Sequence, residues 1–158
     1  SAGIPTEAIA HAIRTFRGVE HRLELVRTLG GVQWINDSIA TAPERALAAL
    51  QAFGEPIVLL AGGRDKAMEW DAWAERVTRR VKSVILFGDL ADLLAQKLAE
   101  QNHPDFKQVH TVAEAVELAA RTAVAGDIVL LSPGGTSYDA FNDFEERGAL
   151  FRQLVNEL

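Results

Sequence analysis

Ile57-Val58-Leu59-Leu60 and Ile128-Val129-Leu130-Leu131 are each apolar at every position. A strand with one wet face alternates apolar and polar residues. Unbroken apolar runs of this length belong to strands covered on both faces, as in a parallel sheet between helices. Around these two runs the periodicity switches repeatedly. Helical patterns over residues 43–53, 71–80, 90–101 and 112–123 alternate with strand patterns over 57–61, 83–87, 108–110 and 127–131, and a helix over 142–158 closes the chain. Upstream, residues 22–29 and 31–36 read as strands joined at Gly30-Gly31, a hairpin turn. A helix is predicted over 6–16, where Ile9, Ile13 and Phe16 share one face. The predicted fold is α/β: a Rossmann-like, doubly wound, mostly parallel six-stranded sheet flanked by helices, with its first strand antiparallel.

Composition narrows the function. With 158 residues, the chain has the length of one domain and can bury a substantial core. A net charge of −6 with scattered basic residues lacks the positive face that nucleic acid requires. It still permits binding of one small anion. There is no cysteine, which excludes disulfides, cysteine–zinc sites and thiol catalysis, and suits the cytoplasm. No apolar run reaches the roughly 18 residues of a membrane span, and no signal peptide is expected.

Parallel strands share a direction, so their C-terminal ends share one edge, where open α/β sheets bind ligands. Here those ends read Asn36-Asp37-Ser38, Gly62-Gly63-Arg64-Asp65-Lys66, Gly88-Asp89 and Ser132-Pro133-Gly134-Gly135-Thr136-Ser137. The other edge carries plainer loops such as Gly54-Glu55-Pro56. Glycines after strands also make ordinary turns, but several polar clusters on one edge point to a site. Gly62-Gly63 would let backbone approach a ligand, and Lys66 adds a cation, unless Asp65 pairs with it. The Ser132–Ser137 stretch suits a carboxylate or phosphate. Within Asn36-Asp37-Ser38-Ile39-Ala40-Thr41-Ala42-Pro43-Glu44, the last four residues fit a helix start, with Thr41 as N-cap and Glu44 completing a capping box. Asn36-Asp37-Ser38 lie before that cap and need another explanation. Neither Gly-x-x-x-x-Gly-Lys-Ser/Thr nor Gly-x-Gly-x-x-Gly occurs, so the chain lacks the usual loop for holding a triphosphate or dinucleotide by itself. His11, His21, His103 and His110 show no metal-ligand spacing. Trp70 and Trp73 read as packing residues, and Asp143-Phe144-Glu145-Glu146-Arg147-Gly148 as a charged first helical turn.

Taken together, Trp34–Thr41, Leu60–Lys66 and Leu131–Asp139 with Phe141 and Phe144–Gly148 resemble the C-terminal domain of the Mur ligase family, and Phe16–Glu24 resembles that family's approach to this domain. The Asn36–Thr41 sequence, without the histidine of related ligases, is similar to the branch that adds D-glutamate. The resemblance implies an ATP- and Mg²⁺-dependent amide-forming ligase of peptidoglycan precursor synthesis. ATP would phosphorylate the carboxylate of UDP-N-acetylmuramoyl-L-alanine, and the amine of D-glutamate would attack the acyl phosphate. It implies that residues 1–16 lead in from a central domain, that residues 17–158 are the C-terminal domain, and that ATP and Mg²⁺ are held mainly by the central domain, with the UDP pocket on an N-terminal one. Thr41, Lys66, Ser137, Tyr138 and Phe144 would bind D-glutamate, and Arg22 and Asp37 would face the ATP ribose and phosphates. No catalytic proton transfer and no metal ligand is assigned to this domain. The protein would be a cytoplasmic monomer, and this domain alone would be inactive.

The sequence departs from the family at Ile39, where lysine is common, at Tyr138, where leucine is familiar, and at Gly134-Gly135-Thr136, which replace small residues such as Ala-Cys-Ala. Two alternatives stay open: the same domain from a folylpolyglutamate-synthase-like amide ligase, and a stand-alone Rossmann-like binding module without catalysis.

Overall fold

A computed structural model describes residues 18–158. The helix expected over 6–16 and the boundary expected at 16–17 lie outside those residues. The described chain runs β1 (Glu24–Leu29), β2 (Val32–Asn36), α1 (Pro43–Leu50), β3 (Ile57–Gly62), α2 (Asp71–Arg80), β4 (Ser83–Phe87), α3 (Ala91–Glu100), β5 (Phe106–Gln108), α4 (Val112–Thr122), β6 (Ile128–Gly134) and α5 (Phe144–Asn156). The sheet order is β1-β2-β6-β3-β4-β5. β1 is antiparallel to β2 and every other pairing is parallel. Gly30 and Gly31, with φ of 58° and 79°, make the tight turn between the first two strands.

Alternate residues of the same strands feed two cores. Leu59, Ala61, Val84, Leu86, Ile128 and Leu130 pack with α1, α2 and α3 on one face. Val58, Leu60, Ile85, Phe87, Val129 and Leu131 pack with α4 and α5 on the other. The apolar runs are therefore buried on both sides, as their lack of alternation predicted. The order also builds a crevice. β2 and β3 lead into helices on the first face, whereas β6, lying between them, leads into α5 on the second. Loops leave β6 and its two neighbours in opposite directions, which is the geometry of a ligand-binding switch point.

Three local expectations are corrected. The N-cap of α1 is Ala42, with no side-chain cap bond, so Glu44 stands one place too early for the capping box expected with Thr41. The Ala40 carbonyl accepts from Gly134 N at 2.8 Å, and this tie to the loop of β6 holds the chain extended past Thr41. A capping box does form at Thr111 and Glu114, at the start of α4. β5 covers Phe106–Gln108, two residues before the predicted strand; its short exposed sequence carries little periodicity. α5 begins at Phe144 because Asp143 caps it, its carboxylate accepting from Glu146 N at 2.8 Å.

Candidate functional site at the C-terminal strand edge

The loops after β2, β3 and β6 are tied into one unit. Arg64 N donates to Thr136 O and Thr136 N to Arg64 O, both at 2.9 Å, joining the loops of β3 and β6. Arg147, from the first turn of α5, joins the loops of β6 and β2. Its side chain is fully buried. Nε donates to Ser38 Oγ at 3.0 Å, Nη2 to Ser38 O at 2.9 Å, and both Nη atoms reach Gly135 O at 3.2 Å. Burial pulls its guanidinium down to about 10, which still leaves it charged at neutral pH. Gly63 sits against this clamp with φ of 100°; a Cβ there would meet the Thr136 carbonyl and the Arg147 guanidinium.

The three residues left unexplained before the α1 cap divide into two roles. Asn36 and Ser38 are structural. Asn36 Nδ2 donates to Gly148 O at 3.1 Å and to Glu24 Oε2 at 3.3 Å, and lies 3.1 Å from His21 Nδ1. Its Oδ1 accepts from Ser38 N at 3.2 Å, which sets the orientation of the amide. Ser38 Oγ donates to Phe144 O at 2.7 Å. His21 is therefore a core histidine, wedged between Asn36 and α5. A Cβ on Gly148 would enter its imidazole ring. Alanine for glycine inside a helix normally stabilises by about 1 kcal/mol. Gly148→Ala is instead expected to destabilise by about 1–3 kcal/mol through overpacking, read as a lower urea midpoint; a raised midpoint would refute the close His21 contact.

Asp37 alone of the three faces a pocket. It lines a cavity of about 390 Å³ together with Arg22, Leu23, Ile39, Ala40 and Arg45. Its carboxylate accepts from Leu23 N at 3.2 Å and Ser132 Oγ at 2.8 Å. Burial nevertheless pushes its carboxyl up to about 6, against the pull of those bonds and of Arg22 and Arg45. Leu23 is held with φ of 46°, an uncommon conformation for a side chain of its size, and its N–H is what meets Asp37. Arg22 and Asp37, paired in the sequence reading, thus share one pocket.

The five residues predicted for the amino-acid substrate lie on the same edge but outside the lining of that pocket. Lys66 and Tyr138 meet, with the ammonium 5.5 Å from the ring centroid. Lys66 is not paired with Asp65: the Asp65 carboxylate accepts from Met68 N and Trp70 Nε1, each at 3.1 Å. Trp70 is a packing residue, edge-to-face with Trp73 at 5.6 Å, and also anchors the loop that carries Lys66. Ser137 is buried and starts a turn, its carbonyl accepting from Phe141 N at 2.9 Å. Tyr138 is 54% exposed, so its ring is open to a ligand or another surface. Thr41 is half-buried beside the Ala40–Gly134 tie. Phe144 packs edge-on against His21, and its carbonyl is already taken by Ser38. Of the five, Lys66 and Tyr138 meet, with Ser137 next to Tyr138 in the chain, while Thr41 and Phe144 lie on separate loops tied respectively to Gly134, through Ala40, and to Ser38. Among the described residues, no cluster of three or more His, Asp or Glu can hold a metal ion, and no helix is long and apolar enough to cross a membrane.

Residues 21–135 match the family described as "Mur ligase, glutamate ligase domain". The chain is 43% identical over 156 residues to the UDP-N-acetylmuramoylalanine–D-glutamate ligase of Pelotomaculum thermopropionicum, covering 99% of this chain and 34% of that protein. It is 45% identical over 158 residues to the ligase of the same name from Symbiobacterium thermophilum, covering 99% of this chain and 35% of that protein. The chain thus spans about a third of the curated relatives it matches. Among solved structures, the fold is similar to the bifunctional folylpolyglutamate synthase/dihydrofolate synthase of Yersinia pestis (TM-score 0.68, 17% identity, 98% of this chain and 35% of that one). It is also similar to the UDP-N-acetylmuramate–alanine ligase of Thermotoga maritima (TM-score 0.65, 17% identity, 93% of this chain and 32% of that one).

Proposed function

Because this chain belongs to the Mur ligase family through its glutamate ligase domain, we propose that it is the C-terminal domain of an ATP-dependent ligase joining D-glutamate to UDP-N-acetylmuramoyl-L-alanine. Its likeness to D-glutamate ligases along nearly its whole length carries this reading. The geometry supports a division of labour. Lys66, whose ammonium meets the Tyr138 ring and no carboxylate among the described residues, pairs with a carboxylate of D-glutamate. Ser137 and Tyr138 complete that side of the site, and Thr41 and the chain at Phe144 complete the other. Arg22 and Asp37 face the nucleotide, with Asp37 accepting from ribose hydroxyls and Arg22 neutralising phosphate. ATP activates the acceptor carboxylate as an acyl phosphate, and Mg²⁺ is held with it by the rest of the enzyme. This domain closes over that group, excluding water and presenting the amine. The enzyme works as a monomer in the cytoplasm, in peptidoglycan precursor synthesis.

The test uses the full-length ligase. Lys66→Ala is expected to raise KM for D-glutamate by about 10- to 100-fold, the value of a charge-assisted hydrogen bond, while KM for ATP changes by less than about twofold. Equal changes in both would defeat the assignment. The 158-residue chain by itself is expected to turn over no ATP; measurable hydrolysis by the pure domain would show that the triphosphate site is complete within it.

A further inference from the structure

Beyond its pull on the Asp37 charge, Arg45 ties no part of the fold together. It is exposed at the third position of α1, and no carboxylate or carbonyl accepts from its side chain among the described residues. A cation in the first turn of a helix opposes the macrodipole, at a cost to helix stability rather than a gain. Glu44 is its chain neighbour and points from a different part of the turn, since only residues three or four apart share a face. On Arg45's own face stand Ala48 and Ala49, whose small side chains leave the pocket open in front of it. Across that space lie Arg22 and the buried Asp37, and at its wall lies Ile39.

Two guanidinium groups flanking one carboxylate leave a surplus of positive charge in a pocket on an otherwise acidic chain. Ile39 can add none: its N–H donates to His21 O at 3.1 Å, and its side chain is apolar. We infer that Arg45 is a phosphate-binding residue of the nucleotide pocket, adding from α1 a second guanidinium to that of Arg22. Its planar guanidinium can take two phosphate oxygens at once, which an ammonium cannot. The inference rests on the ligase reading above and adds to it a specific contact with the nucleotide.

Steady-state kinetics of the full-length ligase test it. Arg45→Ala is expected to raise KM for ATP by about tenfold or more, the loss of one charge-assisted contact, with KM for D-glutamate within about twofold. Arg45→Lys should recover part of the loss, and Ile39→Lys added to Arg45→Ala should recover more than half of it by placing a cation at the neighbouring wall. A merely structural role for Arg45 would move both KM values together and would not be rescued from position 39; either result overturns the inference. So does an unchanged KM for ATP in Arg45→Ala, and in that case wild-type ligase activity leaves the ligase reading intact. A wild-type enzyme with no D-glutamate-dependent turnover would overturn that reading and this inference with it.

Discussion

Replacing Arg147 with methionine is expected to lower the stability of the fold by about 2–4 kcal/mol, the cost of buried acceptors left without donors less the relief of a buried charge. Methionine fills similar space, so the loss is not one of volume. It comes from the acceptors left behind. Ser38 O and Gly135 O would lose their guanidinium donors in a site closed to water, and Ser38 Oγ would lose the bond from Nε. Each unpaired buried carbonyl costs about 1–3 kcal/mol. Lysine should do little better, because one ammonium cannot span the same set of acceptors in the plane that Arg147 uses. Urea unfolding followed by tryptophan fluorescence would measure this, since Trp34 packs against Phe151, one turn from Arg147 on α5. A shift below about 1 kcal/mol would show that the loops of β2 and β6 hold together without the clamp. A double-mutant cycle with Ser38→Ala should show strong non-additivity, because the two residues share their bonds.

Asp37→Asn is expected to act in the opposite direction on stability. The carboxyl rises from 3.8 to about 6 on folding, so the folded state holds its proton more tightly. This group's contribution is fully present below about pH 4 and is lost as pH rises through about 6. At pH 7.5 and above, the buried charge costs the fold roughly 1–3 kcal/mol. Asparagine removes that charge and keeps an oxygen for Leu23 N. The variant should therefore be more stable than wild type at pH 8, and the difference should vanish near pH 4. Equal stability at pH 8 would show that Asp37 is fully compensated by Arg22, Arg45 and its two hydrogen bonds. On the nucleotide-facing role proposed for Asp37, the gain should come with a raised KM for ATP in the full-length ligase.

Much of the architecture was legible because burial writes itself into periodicity. Six strands, their order along the chain and the intervening helices follow from apolar runs and turn residues, and the hairpin follows from Gly30-Gly31. Errors fell where local signals are weak or compete. Thr41-Ala42-Pro43-Glu44 has the spacing of a capping box, worth about 1 kcal/mol, yet the backbone tie from Gly134 to Ala40 overrides it. The short β5 has only a half-buried Phe106 to mark it. One signal for the clamp was present but read as a charged first helical turn. Arg147, Phe151 and Val155 recur every four residues, which places a charge at the head of the buried stripe of α5.

The roles within the site were another matter. Sequence alone established that polar clusters gather at the C-terminal ends of parallel strands, because strand direction makes that a consequence of topology. Periodicity and spacing could not say which of Asn36, Asp37 and Ser38 lines a pocket; only the family resemblance singled out Asp37. Which of them does so depended on partners far along the chain: Ser38 meets Arg147 across 109 positions, Asn36 meets Gly148 across 112, and Asp37 meets Ser132 across 95. A polar side chain is structural or available only according to whether folding brings it a buried partner, and no local pattern encodes that long-range pairing.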